Sequence, residues 1–195
     1  MLGAVALPVG VATLTVTDSI LGEDRSADGG AGVLSTALAV DAPGTDVALT
    51  RCTVFGRIIA RTADLDHVLA AGRVLAARRQ EGCVRYSLVP LGSRTAPRFR
   101  CQPDLALQAA APVGDAAAAR IARALLPRFT ATHWEHPGFA QLHALCPTAL
   151  AAGGEGGLEM GVFAAAGGPI RLANLGLAVG DTLRVGLTAG VFTAT

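Results

Sequence analysis

Lysine is absent from this chain of 195 residues, and all 16 basic side chains are arginine. Aromatic residues contribute only 4% of the sequence. The formal net charge is +1, which argues against a surface devoted to nucleic acid or membranes, so we expect no nucleic-acid partner. Hydrophobic residues reach 51%, which excludes intrinsic disorder, because disorder requires low hydrophobicity and high net charge. These values describe a folded protein of about one domain.

Long apolar runs are also missing. No stretch reaches the roughly 18 apolar residues of a membrane helix without a glycine or proline in between. Residues 1–17 carry no charge, but they lack the basic n-region of a signal peptide, and threonine alternates at 13, 15 and 17 as in a strand. We therefore expect no membrane insertion and no export signal, with the cytoplasm as the default location.

Cysteine is sparse and its spacing fits no known framework. Cys52, Cys83, Cys101 and Cys146 match neither a CxxC metal knuckle nor the density of a disulfide scaffold. We expect four reduced thiols, some of them in the core.

One segment of the chain recurs after 16 residues. Gly56-Arg57-Ile58-Ile59-Ala60-Arg61 is followed by Gly72-Arg73-Val74-Leu75-Ala76-Ala77-Arg78, and a short apolar pair precedes each copy. Upstream, residues 14–22 resemble residues 49–56, and residues 83–89 form another strand-like segment. The sequence therefore contains about four rung-like units.

A period in the middle teens fits one coil of a β-solenoid. Stacking such coils about 4.8 Å apart would align equivalent apolar side chains in internal columns. We expect Val54, Val68 and Val84 in one column and Ile58 with Val74 in another. An antiparallel sandwich with chance similarity between its strands is the alternative.

Turn residues divide the chain into regions. Residues 23–46 are rich in glycine and include Pro43, and we interpret them as an excursion from the coil. With this excursion, the rungs are expected to occupy residues 1–90. Residues 91–195 are expected to form a C-terminal cap.

The cap region shows helix signals first and strand signals last. Residues 116–126 favour a helix, with Asp115 as its N-cap and Pro127 as its stop. Residues 182–187 and 190–193 return to strand patterning. The fold class expected for the whole chain is therefore mainly β, with a cap of loops, helices and strands.

Several blocks of the sequence have a distinctive order of residues. They are Gly82-Cys83-Val84-Arg85-Tyr86-Ser87, Arg98-Phe99-Arg100-Cys101-Gln102-Pro103, Glu159-Met160-Gly161-Val162-Phe163 and residues 183–195. These blocks resemble the C-terminal region of large, mostly uncharacterised bacterial proteins that look like right-handed parallel β-helices and are loosely associated with phage-tail-like contractile injection clusters. The resemblance implies a right-handed parallel β-helix, a short solenoid, for the rungs. It implies no established activity and no catalytic residues.

Arginine is concentrated in the repeats. Residues 57–100 hold nine of the sixteen arginines and only three acidic side chains. If the repeat is a coil, Arg57 stacks under Arg73 and Arg61 lies near Arg78. Like charges about 5 Å apart repel unless carboxylates or an anion lie between them. These four arginines are the candidate site for a protein partner or an anionic polymer, and a solvated face is the alternative.

Histidine and cysteine gather near residue 140. His133, His136, His143 and Cys146 lie close together in the sequence and include side chains three apart, a spacing that suits zinc on one helix face. Proline and glycine interrupt any helix that would join the two pairs, so we expect no metal and no other cofactor.

The repeats contain one close acidic pair, Asp64 and Asp66, which would share a face of a strand. A β-helix lyase or glycoside hydrolase requires clustered catalytic groups, and nothing comparable lies one rung away. We therefore expect a non-enzymatic structural or binding module, in the contractile-injection setting that the resemblance implies. The competing hypothesis is a β-helix enzyme that acts on an anionic polysaccharide.

Overall fold

The structure, a computed structural model, describes residues 5–7, 10–22, 38–111, 113–133, 136, 138–168, 183–184 and 186–188. The strands in chain order are β1 (Val5–Ala6), β2 (Thr13–Thr17), β3 (Ile20–Gly22), β4 (Leu38–Thr50), β5 (Thr53–Phe55), β6 (Arg57–Asp66), β7 (Leu69–Ala70), β8 (Val74–Ala76), β9 (Val84–Arg85) and β10 (Arg98–Phe99). The helices that follow are α1 (Asp104–Ala110), α2 (Asp115–Ala124) and α3 (Thr148–Ala151), with 3₁₀ turns at Glu155–Gly157 and Ala164–Ala166. The chain is thus mainly β, with few helices.

The chain returns several times to the same three sets of paired strands, and we call each return a pass. The strands of successive passes pair side by side in three parallel ladders. The first ladder contains β1, the first half of β4, the first half of β6, and β8. The second contains β2, the second halves of β4 and β6, β9 and β10. The third contains β3, β5 and β7. All pairs between these strands are parallel, so the antiparallel sandwich is wrong for the described part of the chain.

The length of a pass varies along the chain. Ile58 pairs with Val74, which confirms the 16-residue repeat, and both side chains are fully buried. The upstream copy pairs across a much longer interval, as in Leu21 with Val54. The interval is also longer between β6 and β9, and it is shorter between β9 and β10. Turns of different length between the strands produce this variation.

The valine column predicted from the sequence is wrong in register. Val54, Val68 and Val84 are all fully buried in one core, as expected. However, Val54 lies opposite Ala70, and Val84 lies opposite Leu65. The interval of 16 residues holds for Val54 and Ala70, so Val68 lies two residues before the paired position, whereas the interval lengthens to 19 residues between Leu65 and Val84.

The excursion predicted at 23–46 is too long at its C-terminal end. Strand β4 begins at Leu38 and pairs with both β1 and β6. Pro43 and Gly44 lie within it, where the register with β6 shifts between Ala42 and Asp46. The irregularity accommodates the proline, which cannot donate a ladder hydrogen bond. Residues 23–37 lie outside the described residues.

Parallel pairing continues beyond the boundary predicted near residue 90. Arg94 bridges to Leu75, and Gln102 bridges to Leu88. The helix predicted after residue 115 is present as α2, but Asp115 is its first residue and no side chain caps it. Gly114 occupies the cap position, where its φ of +85° favours glycine.

Two further expectations concern the rest of the chain. The strand predicted at 182–187 is wrong, because the residues described there, 183–184 and 186–187, form a turn and no strand, whereas the strand predicted at 190–193 lies outside the described residues. Among the residues that the structure describes, no helix is long and apolar enough to cross a membrane.

The C-terminal region covers the outer surface of the third ladder. Phe55, on β5, contacts Phe129 with ring centroids 5.0 Å apart and Phe139 with centroids 5.8 Å apart. The buried side chains of Leu150 and Met160 belong to the same cluster. Burying these side chains in common attaches the C-terminal segment to the strands.

We predict that Ile58→Ala lowers the free energy of unfolding by about 2–5 kcal/mol, because it leaves a cavity in a fully buried site. The neighbouring Ile59 lies on the outer surface of the same strand and is only half-buried. Ile59→Ala is therefore the matched control and should cost clearly less. Urea unfolding of both variants measures the difference, and equal losses would contradict the described register.

Candidate anion-binding face

The four candidate arginines lie on neighbouring passes, in two pairs. Arg57 and Arg73 precede the paired residues Ile58 and Val74, and the Ile58 backbone N–H donates to the Arg73 carbonyl oxygen at 3.0 Å. Both arginine side chains are exposed. Arg61 and Arg78 are joined by a backbone hydrogen bond of 2.8 Å. The structure therefore places all four in the relative positions that the repeat indicates.

The Arg61 and Arg78 charges are compensated by carboxylates. Arg61 forms a two-pronged ion pair with Asp46, with Nε 2.8 Å from Oδ1. The hydrogen bonds from Arg61, together with one from Thr62, lower the pKa of Asp46. Arg78 pairs with Glu81 at 2.8 Å. These two arginines are thus occupied within the fold.

The Arg57 and Arg73 charges are not compensated in this way. Neither side chain makes an ion pair within the described part of the chain, and Arg94 makes none there either. Arg94 forms a parallel β-bridge with Leu75, on the neighbouring pass. The Arg73 guanidinium lies against Gly92, where a Cβ would approach Cζ to 3.3 Å. We call the outer surface of the first ladder that carries Arg57, Arg73 and Arg94 the arginine face.

A shallow groove of about 410 Å³ crosses the arginine face. Arg73 and Arg94 line it, and Ile59 and Leu75 contribute apolar surface to it. No carboxylate is among the described residues that line the groove. It therefore offers two guanidinium groups beside an apolar floor, which suits a ligand with anionic groups on a partly apolar body.

A second column of polar residues lies at the corner between the second and third ladders. One residue per pass has a positive φ of 47° to 54° there. These residues are Asp18, Arg51, His67, Tyr86 and Arg100. We call them the corner column. Their equivalent positions on five passes make each pass turn at the same place, although non-glycine residues rarely adopt this conformation.

Ion pairs and ring contacts connect the side chains of the corner column. Arg51 bonds Asp18 through two hydrogen bonds, at 2.5 and 2.7 Å, which lower the pKa of Asp18. His67 stacks on Tyr86 with ring centroids 5.2 Å apart. The Nδ1 atom of His67 lies 2.7 Å from Asp66, and its Nε2 atom accepts the backbone N–H of Glu155 at 3.0 Å. This contact ties the C-terminal segment to the corner.

A serine or cysteine follows the corner residue on four of the five passes, and its side chain donates to the carbonyl oxygen two residues earlier. These residues are Ser19, Cys52, Ser87 and Cys101. Sequence reasoning missed this pattern, although a small donor directly after the turn residue is its visible signal. This pattern also gives Cys52 and Cys101 a structural role as donors at the corner.

All four cysteines are free, as expected, and three of them are buried. Burial raises the pKa of Cys52 and raises that of Cys101 to about 11. These two thiols therefore stay protonated at neutral pH and serve as weak donors.

The acidic pair is engaged in bonds within the fold. Asp64 Oδ1 accepts the backbone N–H of Cys83 at 2.6 Å. Burial of Asp66 by itself raises its pKa, but the hydrogen bonds from Arg85, at 2.9 Å, and His67 outweigh this effect and lower it. Both carboxylates are thus held as acceptors, which opposes a role as a general acid.

The histidines and Cys146 do not come together as a ligand set. His136 Nδ1 accepts the Gly138 backbone N–H, and His143 Nδ1 accepts that of Leu145. Burial raises the pKa of Cys146. Among the described residues, no three His, Cys, Asp or Glu side chains form a group that could hold a metal ion. The absence of zinc stays a prediction.

Comparisons of the chain with protein-family models, curated proteins and solved structures found no match.

Asp66→Asn should make stability less dependent on pH. The folded pKa of Asp66 lies below its ordinary value of about 3.9, so the contribution of this carboxylate is complete above that value and is lost as the pH falls through the folded pKa. At pH 7 we expect a loss of about 1–2 kcal/mol, because the Arg85 guanidinium and the ring N–H of His67 lose their carboxylate acceptor. Urea unfolding at pH 7 and below pH 4 measures both effects. Glu81→Gln, which breaks an exposed ion pair, should change little.

Ser87→Ala should lower the free energy of unfolding by about 1–3 kcal/mol, because the buried Val68 backbone N–H loses its 2.9 Å acceptor. Ser19 holds the equivalent position on the first pass, but its hydrogen bond is exposed. Thermal and urea unfolding of Ser19→Ala, the matched control, should show a change of only about 0.5 kcal/mol. Equal effects of the two substitutions would contradict the structural role of the corner.

Proposed function

We propose that this chain is a non-enzymatic binding module, built as a right-handed parallel β-helix, whose arginine face binds an acidic polymer. The observation that carries the proposal is the stacking of Arg57 and Arg73 on adjacent passes without an ion pair in the described part of the chain. An extended anionic polymer can contact both passes with successive charged groups.

Three features support the β-helix. The chain returns repeatedly to the same three ladders, always in parallel. The corner column turns the chain at an equivalent position on five passes. Buried apolar side chains from all three ladders belong to one core. Coils of a solenoid that stack and bury their apolar faces on one another have these properties.

The charge distribution favours an anionic polymer along the arginine face. Adjacent strands lie about 4.8 Å apart, so unpaired guanidinium groups on neighbouring passes repel, and a polyanion lowers this repulsion. The groove between Arg73 and Arg94 has an apolar floor that can contact the ring faces of an acidic sugar. An acidic polysaccharide therefore fits both the charges and the surface. A contractile injection particle is the setting that the sequence resemblance adds to this proposal.

Catalysis on such a polysaccharide is the weaker hypothesis. Asp64 and Asp66 are the carboxylates that the enzyme hypothesis requires, and the fold uses both as hydrogen-bond acceptors. Neither of them lines the groove on the arginine face.

The test is calorimetric titration with polygalacturonate, an acidic polysaccharide of known repeat. Replacing Arg57 and Arg73 together by Gln should weaken binding by about tenfold or more, because two charge-assisted contacts are lost. Raising the ionic strength should weaken wild-type binding as well, since exposed charges are screened beyond about 8 Å in physiological salt. The melting temperature should change little, because exposed charges contribute about 0–1 kcal/mol.

Arg120 and Arg128 provide the matched control. Both are exposed and lie away from the groove, so the Arg120→Gln and Arg128→Gln double variant removes the same charge elsewhere. If the control variant weakens polymer binding equally, the loss follows from net charge alone, and this result would contradict binding at the arginine face. Turnover of the polymer into new chain ends would favour the enzyme hypothesis instead.

A further inference from the structure

A second opening lies between α2 and the last passes of the chain. Its volume is about 520 Å³, which is within the usual range for small-ligand sites of roughly 300–1,000 Å³. Leu88 and Leu91 line it from the strand side, and Leu125 and Leu126 line it from the end of α2. Prolines and alanines complete an almost wholly apolar wall. We call this opening the helix cavity.

Helix α2 does not fill the space beneath it. None of its residues is buried, and Leu125 and Leu126, just after its end, are only half-buried. On the opposite wall, Leu91 is 37% exposed. Protein interiors normally pack to the density of organic crystals, so an apolar opening of this size leaves its lining without contacts that a ligand could supply.

Two cations lie at the helix cavity, Arg73 from the strands and Arg123 from α2. Neither makes an ion pair within the described part of the chain, and no carboxylate lines the cavity. The wall also contains no aromatic ring on which a planar ligand could stack. The chemistry that complements this wall is a flexible aliphatic body with one anionic end.

We propose that the helix cavity binds an aliphatic carboxylate of medium chain length. The acyl chain lies between Leu91 and Leu126, and the carboxylate contacts Arg123 and Arg73. This site is separate from the arginine face, with which it shares only Arg73. The Arg123 and Arg57 side chains therefore report on the two sites independently.

Decanoate is the probe, and isothermal titration calorimetry is the measurement. We expect one molecule bound per chain. Arg123→Gln should weaken binding by about tenfold, because it removes one charge-assisted contact. Arg120→Gln, on the same helix but not in the cavity wall, should leave the affinity unchanged.

A second pair of variants tests the location of the acyl chain. Ala122 lines the cavity, so Ala122→Phe should fill it and abolish decanoate binding. Ala116 is exposed at the start of α2 and lies outside the wall, so Ala116→Phe should bind as the parent does. Decyltrimethylammonium, with the same chain length and the opposite charge, should not compete.

Three results would overturn the proposal: no saturable decanoate binding, undiminished affinity in both Arg123→Gln and Ala122→Phe, or equal binding of the cationic amphiphile. Arg57→Gln separates this proposal from the polymer site, because it should weaken polygalacturonate binding and leave decanoate binding unaffected. Weaker decanoate binding in Arg123→Gln supports the cavity site whether or not the arginine face binds polygalacturonate.

Discussion

The turn between the second and third ladders is the constraint on which the rest of the structure depends. At this turn one residue per pass takes a left-handed conformation that costs a non-glycine residue roughly 1–2 kcal/mol. The cost is offset because the backbone N–H of each corner residue from Asp18 to Tyr86 donates to the next pass, and small side-chain donors close the turn on most passes. Passes of different length therefore still meet in register at this corner.

The same corner determines how charge is distributed. In the corner column Asp18 pairs with Arg51, and one residue before the column Asp66 pairs with Arg85. On the first ladder, stacking brings Arg57 next to Arg73 with no carboxylate partner among the described residues. Charges therefore have different surroundings in the two places: at the corner they form ion pairs within the fold, and on the arginine face they have no ion-pair partner among the described residues.

The C-terminal region adds asymmetry to the strands. It covers the third ladder through the Phe55 cluster and through the hydrogen bond from the Glu155 backbone to His67. Helix α2, in contrast, rests on the last passes without burying any residue. Arg73 lies at the border of both openings, on the groove of the arginine face and on the helix cavity. Its guanidinium lies against Gly92, where a Cβ would approach Cζ to 3.3 Å.

The sequence alone was sufficient for the 16-residue repeat, the burial of Ile58 and Val74, and the juxtaposition of Arg57 with Arg73, because local strand periodicity and one exact spacing determine these features. It was not sufficient for the valine column, because Val68 lies two residues short of the position opposite Val54 and the interval lengthens between β6 and β9, and it was not sufficient for the extent of β4. Only the tertiary structure decided that Asp46 compensates Arg61 and that α2 leaves a cavity. Both depend on which passes become neighbours, and the free energy of such contacts comes from side chains distant in the chain, which no local pattern records.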